Sequence, residues 1–101
     1  MHRLTIQYAE PSDPAAFDRQ YFDQHVALCK PLPGLRAAAF SKPRVLGRGA
    51  CPYLVAELDF DSEEAMKESM GSPEGRAAGK DIRNFATGGV TFVHFDVQQA
   101  S

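Results

Sequence analysis

The stretch Phe17 to Leu28, FDRQYFDQHVAL, constrains the fold more than any other part of the chain. At about 100° per residue, Phe17, Leu28, Tyr21, His25, Cys29 and Phe22 fall in that angular order along one continuous arc of a helix. A helix with one apolar face has to bury that face against a second layer, which a short chain must supply from its remaining segments. His25 sits near the middle of the arc, so its imidazole is expected to point into the core.

The flanking residues set the limits of this helix. Asp13 can accept from the first free backbone N–H groups, and Pro14 suits the first helical position, where a missing donor costs nothing. The helix has to stop by Cys29 or Lys30, because the prolines of Pro31-Leu32-Pro33-Gly34 lack a donor and clash with the preceding turn. Before it, Arg3 to Ala9 alternates, with Leu4, Ile6 and Tyr8 on one side and Arg3, Thr5 and Gln7 on the other, the period of a strand. After it, Leu35 to Lys42 contains alanines that would also suit a helix. Its shortness, the preceding Pro-Gly and the breaker-rich, basic KPRVLGRGACP that follows favour a strand leading into a long hairpin loop. Gly47-Arg48-Gly49 does not open a helix after a strand, so it reads as a connection and not as a phosphate-binding loop.

Tyr53 to Phe60 alternates again, with Leu54, Ala56, Leu58 and Phe60 on one face and Tyr53, Val55, Glu57 and Asp59 on the other. Asp61 to Glu64 has the form of a capping box, with Asp61 as the cap and Glu64 reaching back. That helix ends at Gly71, and Ser72-Pro73 starts a second piece running to about Phe85 or Ala86. Met66 and Met70 stand one turn apart on the first piece, and Ile82 and Phe85 supply the core contacts of the second. Thr87-Gly88-Gly89 turns the chain into a last strand, Val90 to Val97.

The order β-α-β-β-α-β is the ferredoxin-like α+β arrangement. Right-handed crossovers put both helices on one face of a four-stranded antiparallel sheet. The other face carries Val55 beside Glu57 and Asp59, too apolar for water alone and too polar for a closed core. A symmetric partner copy is the expected cover.

The chain has 101 residues, 44% hydrophobic and 24% charged, which suits one modest core and one domain spanning residues 1–101. A formal net charge of −2 without a basic stripe argues against nucleic acid or an anionic membrane as the main partner and leaves a small molecule or a protein. MHRLTIQYAE lacks the features of a signal peptide, and no segment approaches about 18 consecutive apolar residues. A cytoplasmic location is expected. Cys29 and Cys51 share no CxxC spacing and read as two free thiols. Arg44 and Arg48 are near Cys51 in sequence, but an ordinary loop cysteine is the simpler reading of it.

Five stretches in the same order, YAEPSDPAAFDRQYFDQHVAL, LPGL, PYLVAELDFDSEEAM, SPEG and NFATGGVTFVHFDV, resemble the EthD-like family of the dimeric α+β barrel superfamily, over nearly the whole chain. The family pattern has a proline two residues after the first-helix histidine, where this chain has Ala27, a better helix former. The resemblance implies a homodimer whose two sheets close into a barrel, each subunit keeping a pocket between sheet and helices. It also implies an association with oxidative breakdown of organic compounds. Relatives in the wider superfamily include cofactor-independent oxygenases of polycyclic phenols, lactone isomerases and haem binders.

A histidine buried on an apolar stripe without an acidic partner stays neutral at physiological pH and can act as a base. His25 could take a proton from an acidic phenol or from carbon next to a carbonyl, giving a delocalised anion open to oxygen or to reprotonation elsewhere. Tyr8, Tyr21 and Tyr53 are candidate hydroxyl donors to such a substrate, and Phe22, Phe40 and Phe92 candidate pocket walls, alongside Phe17 and Phe95. The competing reading makes His25 a core residue whose ring N–H a backbone carbonyl satisfies, and the tyrosines packing groups. Asp18 shares the helix face of His25 two turns away, about 10 Å along the axis, and reads as a first-turn charge. No cofactor is expected. His2, His25 and His94 fall on separate elements without HxH, HxxxH or paired-cysteine spacing, which argues against a metal, and a haem would have His25 as its sole inward axial ligand. Two functions follow: a dimeric enzyme acting on a hydrophobic oxygenated compound with His25 as general base, or a non-catalytic dimer that carries such a compound or supports a partner oxygenase.

Overall fold

The computed structural model describes residues 1–100. Strands β1 (His2–Tyr8), β2 (Ala37–Ser41), β3 (Leu54–Phe60) and β4 (Val90–Asp96) form one antiparallel sheet in the order β2-β3-β1-β4. Helices α1 (Pro14–Gln20) and α2 (Val26–Cys29), joined by a wider turn, form the first crossover, and α3 (Glu63–Gly71) and α4 (Pro73–Asp81) the second. This is the ferredoxin-like α+β fold expected from the element order.

Register decides which residues face the helices. His2, Leu4, Ile6 and Tyr8 stand opposite Phe60, Leu58, Ala56 and Leu54 of β3 and Asp96, His94, Phe92 and Val90 of β4. Leu4, Ile6 and Tyr8 join Leu54, Leu58, Phe60, Phe17, Tyr21, Met66, Ile82 and Phe85 in one core between sheet and helices. At about 1.5–3 kcal/mol for each large side chain removed from water, this core is the main stabilising term. The opposite face carries Arg3, Thr5 and Gln7 with Val55, Glu57 and Asp59, the mixture foreseen from sequence. There Arg3 grips Asp59 (Nε–Oδ1 2.7 Å) and approaches Glu57 (3.5 Å), while Val93 and Phe95 of β4 stay exposed.

Two local expectations need correction. Ser62, not Asp61, caps α3, its hydroxyl accepting from the Ala65 N–H at 3.1 Å. Asp61 instead accepts both guanidinium bonds of Arg36 (2.7 and 3.0 Å), a geometry that a cap role would forfeit. Tyr53 precedes β3, so strand alternation does not govern it. Its ring packs edge-on against Phe17 on the helix side, centroids 5.1 Å apart.

Ser72 closes α3 and caps α4, accepting from Gly75 N–H at 3.0 Å. A Cβ at Gly75 would collide with the carbonyls of Ser69 and Met70, so this tight junction admits glycine alone. The junction carries α4 back over the sheet and aims Asp81, its last residue, at the first helix.

Candidate functional site around His25

The first helix is not uniformly α-helical. Asp13 caps it through Oδ1 to the Ala16 N–H, and α1 runs to Gln20. Residues Tyr21–His25 then widen into a π-turn, with the Val26 N–H reaching back to the Tyr21 carbonyl. In a regular α-helix a row of residues four apart drifts by about 40° per step. A wider turn rotates less per residue and cancels that drift. Phe17, Tyr21, His25 and Cys29 therefore all point into the core, while Phe22 is swung out to 47% exposure and Leu28 sits at the edge.

His25 is 1% exposed and lies between rings, with centroids 4.9 Å from Phe85 and 5.2 Å from Tyr21. Its Nδ1 hydrogen-bonds Asp81 Oδ2 at 3.0 Å. The other Asp81 oxygen accepts from Gln20 Nε2 (3.1 Å) and Asn84 Nδ2 (2.8 Å), so the carboxylate is fixed from three sides. An acceptor on Nδ1 places the ring proton there and leaves Nε2 as the basic lone pair. Nε2 has no hydrogen-bond partner among the described residues. Burial pushes the imidazole below its ordinary pKa and the bond to Asp81 offsets only part of this, so the ring is neutral at pH 7.

Two hydroxyls are sealed beside this pair. Tyr8 and Tyr21 are both fully buried, their rings 5.5 Å apart; their hydroxyls interact with each other, but neither makes a hydrogen bond of good length and angle among the described residues. A buried unpaired hydroxyl costs about 1–3 kcal/mol, so the chain tolerates two costly groups in one place. Burial raises the pKa of both phenols far above normal, keeping them protonated donors. Burial likewise pushes the Cys29 thiol up to about 11, which leaves it inert. Cys51 is a free, exposed loop thiol.

A cavity of about 40 Å³ adjoins His25 and Cys29, walled by Ile6, Leu58, Ile82 and Phe92 among others. It is apolar and no larger than a water or two, well below the roughly 300 Å³ of an ordinary small-molecule site. Phe92 contributes to this wall although 52% exposed. Phe40, half-buried, meets Tyr21 with centroids 5.7 Å apart, and Phe22 lies edge-on to Tyr21 at 5.3 Å from the outside. Tyr53 is turned elsewhere: its hydroxyl donates to Asp18 Oδ1 (2.8 Å) and accepts from Lys42 (3.2 Å). Burial would raise the Asp18 carboxyl, but the bonds from Lys42 and Tyr53 prevail and hold it below its ordinary range. The structure thus gathers His25, Tyr8, Tyr21, Phe40 and Phe92 near one another and sets Phe22 and Tyr53 at the periphery.

Asp81, Gln20 and Asn84 were not anticipated. A signal for Asp81 existed: it falls on the apolar stripe Ala78, Ile82, Phe85 of the second crossover, as His25 does on the first. Polar groups on two facing apolar stripes are to be expected as a pair.

A family model described as the EthD domain matches residues 9–89. An 11.0 kDa protein of the thcB–thcC intergenic region of Rhodococcus erythropolis, described as uncharacterized, is 41% identical over 97 residues, covering 95% of this chain and 94% of that protein. Among solved structures, an ethyl tert-butyl ether D (EthD) family protein of Bacillus halodurans superposes with a TM-score of 0.85 at 33% identity, covering 97% of this chain and 99% of the other. At lower identity the same fold recurs in a dimeric ferredoxin-like protein of unknown function from Thermobifida fusca (TM-score 0.73, 20% identity, 95% and 90% covered). It recurs also in SnoaB, a cofactor-independent oxygenase from Streptomyces nogalater, compared in a mutant form (TM-score 0.68, 16% identity, 98% and 94% covered). With the fold, the matched span and the relatives agreeing, this chain belongs to the EthD domain family.

Proposed function

We propose that the chain is a homodimeric protein that takes a hydrophobic, oxygenated organic compound between sheet and helices, and that His25 acts on it as a general base without an added cofactor. One observation carries this reading: a buried, neutral imidazole oriented through Nδ1 by Asp81, with Nε2 unpartnered and two unpartnered tyrosine hydroxyls close by. Nε2 removes a proton from a phenol or from carbon next to a carbonyl. The Tyr8 and Tyr21 hydroxyls donate to the developing oxyanion, and the delocalised anion then meets oxygen or is reprotonated elsewhere. SnoaB, described as a cofactor-independent oxygenase, supports this chemistry by analogy of fold. Phe92 is the side chain whose displacement enlarges the cavity for such a ligand, because it is the exposed part of the wall.

A second reading, a non-catalytic dimer that carries the compound or supports a partner oxygenase, is favoured by the small size of the cavity. Incubation of the purified protein with polycyclic phenols, hydroxyquinones and unsaturated lactones, without cofactor, separates the two. The catalytic reading expects turnover that falls about 100-fold or more in His25→Ala. Ligand binding without turnover in either protein would leave the carrier.

The dimer rests on the half-apolar open face and on the fold shared with a dimeric protein. Light scattering should give about twice the chain mass of 11.1 kDa, and Val93→Glu with Phe95→Glu should bring it down to one chain. A parent mass near 11 kDa contradicts the proposal.

A further inference from the structure

The antiparallel pairing of β1 with β4 brings two of the three histidines together, although they lie at opposite ends of the sequence. His2 stands opposite Asp96 and Leu4 opposite His94, so alternation places His2, His94 and Asp96 on one face, at the end of the sheet where α3 begins. His2 Nε2 and His94 Nδ1 are 2.9 Å apart. Glu63, the first residue of α3, completes the group, one ligand atom from each of the three residues lying within 4.8 Å of the others. From this geometry we propose that His2, His94 and Glu63 form a binding site for a divalent transition metal of the zinc type, separate from the His25 site.

Two imidazole nitrogens and one carboxylate oxygen are the donor set of an open zinc site, with a fourth position left for water. At metal–nitrogen distances of about 2.0–2.1 Å, two nitrogens on a tetrahedral ion stand about 3.3 Å apart. The His2–His94 contact is a hydrogen bond from the His94 Nδ1–H to His2 Nε2; metal binding opens it by a few tenths of an ångström and shifts that proton to the other ring nitrogen of His94, which frees Nδ1 as a ligand. The ligands are also oriented from behind. Asp96 Oδ1 accepts from His2 Nδ1 at 2.7 Å, which fixes the tautomer whose lone pair is on Nε2, the nitrogen facing His94. Carboxylate, histidine and metal in that order recur in metal sites, because the outer carboxylate holds the ring and raises its basicity.

Burial divides the work among the three. His2 is 2% exposed and held in place by the sheet, whereas His94 and Glu63 are exposed and can move onto an ion arriving from solvent. Lys67 Nζ contacts Glu63 Oε2 at 2.9 Å from one turn along α3 and is the cation that a metal displaces. Both of its partners are largely exposed, so this ion pair is weak and yields at small cost.

The test is a calorimetric titration of the full chain, produced without a polyhistidine tag and stripped with chelator, using zinc chloride alone. One ion per chain is expected, with a dissociation constant in the micromolar range or tighter. His94→Ala should weaken binding at least tenfold, and Asp96→Asn about tenfold through loss of the orienting carboxylate. Both side chains are exposed, so these variants keep the fold, which circular dichroism verifies. His25→Ala and Cys51→Ser should bind as the parent does. No saturable binding up to millimolar zinc, or parent-like binding by His94→Ala, overturns the proposal. Neither result bears on the base chemistry of His25, which shares no residue with this group.

Discussion

The molecule contains two histidine–aspartate pairs of similar geometry in opposite surroundings. His25 and Asp81 meet at 3.0 Å between helices, with side chains 2% and 10% exposed, amid the rings of Tyr21 and Phe85. His2 and Asp96 meet at 2.7 Å at the end of the sheet, where the aspartate side chain is 72% exposed. In both, a carboxylate on Nδ1 directs the Nε2 lone pair outward. The surroundings of the two rings differ: aromatic rings and a small apolar cavity adjoin His25, a second imidazole and a glutamate adjoin His2. The same hydrogen bond thus stands in surroundings that exclude charge at His25 and in surroundings that supply further donor atoms at His2.

Removing each carboxylate should separate the two pairs by the widest margin. Asp81→Ala leaves His25 Nδ1, Gln20 and Asn84 without their shared acceptor in a buried setting. Urea unfolding should show a loss of about 3 kcal/mol. Asp96→Ala removes a solvent-facing partner and should leave the unfolding midpoint close to that of the parent. Equal losses in the two variants would mean that burial does not distinguish the pairs.

A pH series sharpens the contrast next. Because the folded protein holds the His25 pKa below the unfolded value of about 6.5, the unfolded state binds the extra proton first as pH falls. The stability that this group contributes is therefore complete above about pH 6.5 and is lost progressively below it, by at most about 1.4 kcal/mol per pH unit. His25→Gln should flatten the profile below about pH 6.5. A profile unchanged by the substitution would remove the argument for a neutral buried imidazole.

The sealed hydroxyls near His25 should matter less to stability than the Asp81 carboxylate or the imidazole charge. Tyr21→Phe deletes a buried oxygen without a partner and should raise stability by about 1 kcal/mol, read by thermal unfolding. If the hydroxyl serves the proposed chemistry, turnover falls in the same variant. A loss of stability would reveal that the hydroxyl has a structural partner.

Much of this arrangement was legible in the residues themselves. The strand alternations, the helix stops at Pro31 and Gly71 and the order of elements were sufficient to name the ferredoxin-like fold, because each is a local consequence of backbone chemistry. His25 could be placed facing inward because an apolar stripe at helical spacing admits few orientations. Its companions were harder to see. Asp18, on the same helix, is the visible acid, yet its carboxylate serves Lys42 and Tyr53, while Asp81, 56 residues away, holds the imidazole. Alternation misplaces Tyr53 because it stands just outside its strand.

By itself, then, the sequence determined the elements, their order, the inward histidine and the half-polar open face, since these follow from periodicity and breakers within a few residues. The tertiary structure alone decided the π-turn that aligns Phe17, Tyr21, His25 and Cys29, the pairing of His25 with Asp81, and the meeting of His2 with His94 across 92 positions. The physical reason is common to all three. Each depends on how one element sits against another, through strand register or helix packing, and no local spacing encodes that.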